Sequence, residues 1–237
     1  MTVDHVAHVR GLNLHYRETG PTDGPALVAV HGHPGRAHIW DATAAALEGF
    51  HVFALTQRGY GDSDRPGRYG FPIWRDDVFG FADALGLDEF VLLGHSMGGT
   101  VSALAAEQHP ERLRALILED TVPPKQGLKL PAPERPEEEP PYDWDVLPAV
   151  FDAISAPDPA WWHDLARITT PTLVLAGGAT SHVPQDLLAE AAALMPGARL
   201  VTLEGAGHTP HRDAPERFLA EVRGFLADLG IMPAQRQ

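Results

Sequence analysis

Short continuous apolar runs, most of them closed by glycine, proline or an acid and followed by a helix-compatible stretch, limit what this chain can fold into more than any other feature. Ala26-Leu27-Val28-Ala29-Val30 stops at Gly32 and Pro34, and comparable runs cover His51 to Leu55, Phe90 to Leu93, Leu113 to Leu118, Thr172 to Ala176 and Leu200 to Leu203. Unbroken rather than alternating hydrophobicity suits strands buried on both faces. Between the runs lie helical patterns over 37–47, 73–85, 98–108, 185–194 and 215–229. Pro72, Pro184 and Pro215 mark helix starts, and Gly86 and Gly230 mark ends. Strands alternating with helices predict parallel β-α-β units: an α/β fold with a mostly parallel, doubly wound sheet flanked by helices. Val6 to Val9 and Leu12 to Tyr16 add an N-terminal hairpin. Such sheets bind ligands beyond the carboxyl ends of their strands, so the informative residues are those that follow the runs.

At 237 residues the chain is long enough for one generous core. One segment interrupts the rhythm: residues 121–170 hold ten of the 22 prolines, which lack the donor that helix interiors and central strands need. The expected organisation is a core domain of 1–120 and 171–237 with a short, proline-rich lid at 121–170. The lid's acidic run reads as a solvated face. Its second half suits two short helices, 145–155 and 160–168, with Trp144, Phe151, Trp161 and Trp162 as candidate substrate-pocket residues. The net charge of −14 repels phosphate backbones and anionic lipid, so neither nucleic acid nor a membrane is an expected partner. With no cysteine, thiolate chemistry is excluded. The N-terminus has no signal-peptide pattern and no run approaches a membrane span, so the expectation is a soluble, cytoplasmic protein.

Directly after Phe90 to Leu93 comes Gly94-His95-Ser96-Met97-Gly98-Gly99, a G-x-S-x-G turn between a strand and a helix. That turn strains the serine backbone and aims the free N–H groups of the following helix at its oxygen. Ser96 is the candidate nucleophile, and His95 a candidate pocket residue. A serine needs a base. His208, in Gly205-Ala206-Gly207-His208 after the last run, lies at the same sheet edge. His211 makes an H-x-x-H pair with it, but a third ligand in register is lacking, so no metal and no cofactor are expected. The histidine needs an acid, and no carboxylate follows Thr172 to Ala176 until Asp186, inside a helix. Glu119 and Asp120 follow Leu116-Ile117-Leu118; they face differently because strand side chains alternate, and Asp120 is preferred with Glu119 as the alternative. The negative oxygen of a tetrahedral intermediate requires backbone donors, assigned to the N–H groups of Met97 and His33.

At these residues the chain resembles the α/β-hydrolase superfamily, in its serine-nucleophile branch with the acid after the sixth strand. His31-Gly32, Arg58-Gly59-Tyr60-Gly61-Asp62-Ser63, Gly94 to Gly99 and Gly205 to His208 stand in the superfamily's order. Gln57 departs from the Asp often found there. Ser96 stands where the superfamily's dehalogenases and epoxide hydrolases carry an Asp, against those activities. The loop His31 to Gly35 is similar to that of proline iminopeptidases, whose elbow and lid differ. The resemblance implies a serine hydrolase acting on a small molecule with an acyl group, an ester, lactone or thioester, through an acyl-enzyme. Two alternatives stand beside it: non-ester chemistry on the same apparatus (carbon–carbon hydrolysis, a lyase or cyclase step, perhydrolysis), and a small-ligand receptor using the hydrolase pocket.

Overall fold

A computed structural model describes residues 1–127 and 129–233. Leu128, inside the expected lid, lies outside the described residues. The strands are β1 (Thr2–Val9), β2 (Leu12–Thr19), β3 (Ala26–Val30), β4 (His51–Leu55), β5 (Phe90–His95), β6 (Leu113–Glu119), β7 (Thr172–Ala176) and β8 (Arg199–Thr202). They form one sheet in the order β1-β2-β4-β3-β5-β6-β7-β8. β1 and β2 are an antiparallel hairpin, β2 also runs antiparallel to β4, and every other pairing is parallel. The helices are α1 (Asp41–Ala46), α2 (Phe71–Ala84), α3 (Met97–Gln108), α4 (Val146–Ser155), α5 (Pro159–His163), α6 (Gln185–Leu194), α7 (Pro210–Asp213) and α8 (Pro215–Asp228).

The period of two in each strand explains the two-sided core. Val28, Val30, Phe90, Leu92, Leu116 and Leu118 point to the face covered by α2, α3 and α6. Leu27, Ala29, Val91, Leu93, Ala115 and Ile117 point to the face covered by α1 and α8. Neither face is left to solvent, which is why these runs are continuously apolar.

The sheet order places the site. β4 lies on one side of β3 and β5 on the other, so the chain reverses its direction of progress across the sheet between them, and the loops after β3 and β5 open a crevice there. A side chain at Gly32, in the first loop, would put its Cβ 2.8 Å from the Ser96 Cβ and 2.9 Å from His95 Nδ1, closer than side chains tolerate. Glycine there lets the two loops touch.

Two elements differ from the sequence expectation. Residues 37–47 split into a 3-10 turn (Ala37–Trp40) and α1, with the Ala37 N–H donating to Thr56 Oγ1 at 3.1 Å. The second helix of the 121–170 segment ends early, as α5 followed by a 3-10 turn at Asp164–Arg167. The segment docks on the α2 and α3 face through Tyr142, Val146, Val150, Leu165 and Ile168. No described helix is long and apolar enough to cross a membrane.

Candidate active site

Ser96 sits between the end of β5 and the first turn of α3, with φ 52° and ψ −123°. A non-glycine residue with that backbone costs on the order of 1–3 kcal/mol, so the surroundings must hold it. Its N–H donates to Glu119 O at 3.0 Å, and its own carbonyl accepts from Gly99 and Thr100 in the first turn of α3. Glycine at 94 and 98 is forced: a Cβ at Gly94 would lie 2.5 Å from Gly98 O, and one at Gly98 2.4 Å from His31 O.

The Ser96 hydroxyl is 2.9 Å from His208 Nε2, and His208 Nδ1 is 2.8 Å from Asp120 Oδ2. Burial pushes the Asp120 carboxyl up, but hydrogen bonds from His208, Ser181, Gly177 and Gln185 together hold it below the ordinary carboxylate value. An ionised carboxylate only accepts, so Nδ1–H donates to it and Nε2 is left to accept from Ser96. Asp120 is fully buried and has φ 41°, a left-handed backbone that aspartate tolerates better than most residues. Its Oδ1 accepts from Gly177 N–H at 2.8 Å and from Gln185 Nε2 at 3.3 Å, and its Oδ2 also accepts from Ser181 Oγ. The loop after β7, which carries no acid before α6, therefore supplies donors to an acid carried on β6.

Glu119 points to the opposite face. Its carboxylate accepts from the His211 N–H at 2.6 Å and from His211 Nδ1 at 2.9 Å, with both side chains buried. Through its own carbonyl it also holds the Ser96 N–H. The two neighbouring acids thus hold two histidines of the segment after β8, His208 in the loop and His211 in α7.

The site corrects the reading of His95 as a pocket residue. Odd positions of β5 face α8, and the ring is buried there, 5.2 Å from the His211 ring. His95 Nε2–H donates to the His208 carbonyl at 2.7 Å, and burial lowers its pKa, so the imidazole acts as a neutral strut beneath the loop. The four aromatics expected of the 121–170 segment also separate. Trp161 packs edge-on against Phe71 of α2 and so attaches the segment to the core, whereas Trp162 carries Lys125, from the same segment, 4.6 Å over its ring. Trp144 and Phe151 are half-buried.

Met97 opens α3, where an N–H has no intrahelical acceptor. Among the described residues neither it nor the His33 N–H donates to a protein backbone acceptor. Their side chains meet at Tyr60, which the sequence reading passed over. Tyr60, His33 and Tyr142 form an aromatic cluster, with His33 and Tyr142 centroids 4.6 Å apart and Tyr60 joined to Tyr142 by an isolated antiparallel bridge. His182, also passed over, lies with its ring 4.0 Å from that of His208. Among the described residues no group of three or more His, Asp or Glu side chains is arranged to hold a metal ion. A surface cavity of about 410 Å³ between Asp4, Arg17, Arg36 and Asp62 contains neither Ser96 nor His208.

The model of the alpha/beta hydrolase fold family matches residues 25–162, more than half of the chain. The chain belongs to the alpha/beta hydrolase fold family. Within this family it is similar to the sn-1-specific diacylglycerol lipase ABHD11 of Mus musculus, at 28% identity over 93% of this chain and 87% of that protein. The bifunctional epoxide hydrolase 2 of Rattus norvegicus is 35% identical over 45% of this chain, and the match spans 20% of that longer protein. Among solved structures of hydrolases, a thermophilic esterase from Thermogutta terrifontis superposes with a TM-score of 0.77 at 25% identity, over 96% of this chain and 99% of that one. The sequence expectation of this fold and family holds. A hydrolase with esterase-like and lipase-like relatives is the level of function these likenesses establish.

Proposed function

We propose that this alpha/beta hydrolase cleaves an ester, lactone or thioester of a small molecule through a covalent acyl-enzyme on Ser96. The observation that carries the reading is the unbroken run of hydrogen bonds from the Ser96 hydroxyl through His208 to buried Asp120, at a serine held in a strained turn. In the first step His208 Nε2 takes the hydroxyl proton as Ser96 Oγ bonds to the substrate carbonyl carbon. The carbonyl π pair moves onto oxygen, and the Met97 and His33 N–H groups receive that charge. The tetrahedral species collapses, the bond to the leaving group breaks, and His208 returns its proton to the leaving oxygen or sulfur. Water then repeats the sequence: His208 takes its proton, the oxygen attacks the acyl carbon, and the acid departs as Ser96 recovers its hydroxyl. Asp120 keeps the imidazole in the required tautomer and stabilises its transient positive charge.

Residues 121–170 act as a short lid on this reading. The lid is fastened at Tyr142 and Tyr60, close to the donors, and its second half leans on α2. The likeness to a diacylglycerol lipase and to an esterase favours acyl esters over the non-ester chemistries. Steady-state hydrolysis of p-nitrophenyl esters of increasing chain length tests the proposal. Turnover by the wild type that falls by at least about 10³-fold in Ser96→Ala and in His208→Ala supports it. Equal turnover by wild type and Ser96→Ala would refute an acyl-enzyme.

A further inference from the structure

Two N–H groups from separate segments must converge on one oxygen for the proposed chemistry to work, and a displacement of about 1 Å is enough to cost most of their benefit. His33 lies in the loop after β3 and Met97 at the start of α3. Among the described residues no hydrogen bond joins their side chains directly. Both reach the same atom: the Tyr60 hydroxyl is 3.1 Å from His33 Nδ1 and 3.3 Å from Met97 Sδ. Tyr60 comes from a third segment, the loop after β4, and is fully buried. Its ring stands edge-on to His31 and His33.

The protonation states make the bridge self-consistent. Burial pushes the Tyr60 phenol well above its ordinary value, so it stays a neutral hydroxyl. Burial lowers His33 to about 4, so its imidazole is neutral near pH 7. With the hydroxyl hydrogen donated to Met97 Sδ, the phenol oxygen accepts from His33 Nδ1–H. A phenylalanine would fill the same space. A buried hydroxyl is costly unless bonded, and here both its bonds go to the two residues that offer free amides.

We propose that the Tyr60 hydroxyl is a clasp that holds the His33 and Met97 amides convergent on the substrate oxygen, making Tyr60 a positioning residue for transition-state binding. This inference rests on the acyl-enzyme reading of Ser96.

The test uses the full chain and four variants: Tyr60→Phe, Met97→Leu, the double substitution and Ser96→Ala. Three quantities are measured: the rate of Ser96 phosphonylation by a small fluorophosphonate, and the inhibition constants of an alkyl trifluoromethyl ketone and of the matching methyl ketone. The trifluoromethyl ketone adds to serine as a tetrahedral oxyanion, whereas the methyl ketone reports only occupancy of the pocket. Tyr60→Phe is expected to slow labelling about tenfold and to weaken the trifluoromethyl ketone by a similar factor, leaving the methyl ketone within twofold. Met97→Leu, which leaves Tyr60 in place and serves if Tyr60→Phe is unstable, is expected to give a smaller loss of the same sign. The double variant should be no worse than Tyr60→Phe, because both substitutions break one bridge. Wild-type labelling and ketone affinity in Tyr60→Phe, equal weakening of both ketones, or additive losses would overturn the clasp while Ser96→Ala remains unlabelled. Labelling of Ser96→Ala, or none of the wild type, would overturn the acyl-enzyme reading and the clasp with it.

Discussion

Residue identity at one strand end decides the site. Glu119 and Asp120 are adjacent carboxylates: Glu119 ends β6 and turns to His211, and Asp120 follows with a left-handed backbone and turns to His208. Alternation makes it legible in the sequence that only one of the two can easily reach His208, but not which; the resemblance to members with the acid after the sixth strand favours Asp120, with Glu119 as the alternative. The same parity rule applied to β5 places His95 with Val91 and Leu93 on the α8 side, away from the pocket for which it is a candidate in the sequence. Asp120→Asn is expected to reduce kcat by about 10³–10⁴-fold while leaving the fold intact, because the amide stabilises the wrong histidine tautomer. Glu119→Gln is expected to do the reverse. It weakens the buried bonds to His211 and lowers stability by about 1–3 kcal/mol in urea titrations, with fluorophosphonate labelling kept within about tenfold. If Glu119→Gln abolishes labelling and Asp120→Asn does not, the acids have been assigned in the wrong order.

Elements bring these residues together through close backbone approaches, and the loop after β7 shows how tight they are. Gly177 N–H donates to Asp120 Oδ1, while its carbonyl accepts from the Gly207 N–H, next to His208. A Cβ at Gly177 would lie 1.7 Å from Gly207 O. Gly177→Ala must therefore push the His208 loop away, and loss of labelling together with a lowered melting temperature is expected. A variant with wild-type melting temperature and labelling rate would contradict this packing. Strands and the G-x-S-x-G turn were legible because their signal is local and repeated. The partners of Asp120 at Ser181 and Gln185, and the Tyr60 bridge, were not, because each depends on which loops the sheet order makes neighbours. The four-residue α7 is too short to show a period. The packing of Trp161 and Trp162 was equally hidden, since a tryptophan packed on Phe71 and one covered by Lys125 look alike in sequence.

Across the whole molecule, buried titratable groups set how stability depends on pH. Burial lowers His31 to about 3 and His33 to about 4, against 6.5 for an ordinary histidine. At pH 5 the unfolded chain therefore binds about two protons at these positions that the fold refuses. Glu107 opposes them: burial raises its carboxyl to about 8 from 4.5, so the fold keeps a proton that the unfolded chain mostly releases. These three groups alone leave a balance of up to about one proton in favour of the unfolded chain, which should lower stability by about 1 kcal/mol as pH drops from 6 to 5, in the same direction as the lowered His38, His95 and His182. Urea titrations across that range check the slope, and a flat or rising profile toward acid would contradict it. The Glu107 contribution is complete below about 4.5, falls as pH rises from there, and is lost above about 8. Glu107→Gln should accordingly stabilise more at pH 9 than at pH 6.

The central claim is that Ser96 is chemically activated by His208 and Asp120. Intact mass after brief treatment with a small fluorophosphonate tests it most directly, on the wild type and Ser96→Ala side by side. One adduct is expected on the wild type, with fluoride lost and the phosphonyl group on Ser96 Oγ, and none on Ser96→Ala. A folded wild-type protein that takes no adduct, or an adduct that persists in Ser96→Ala, would contradict it.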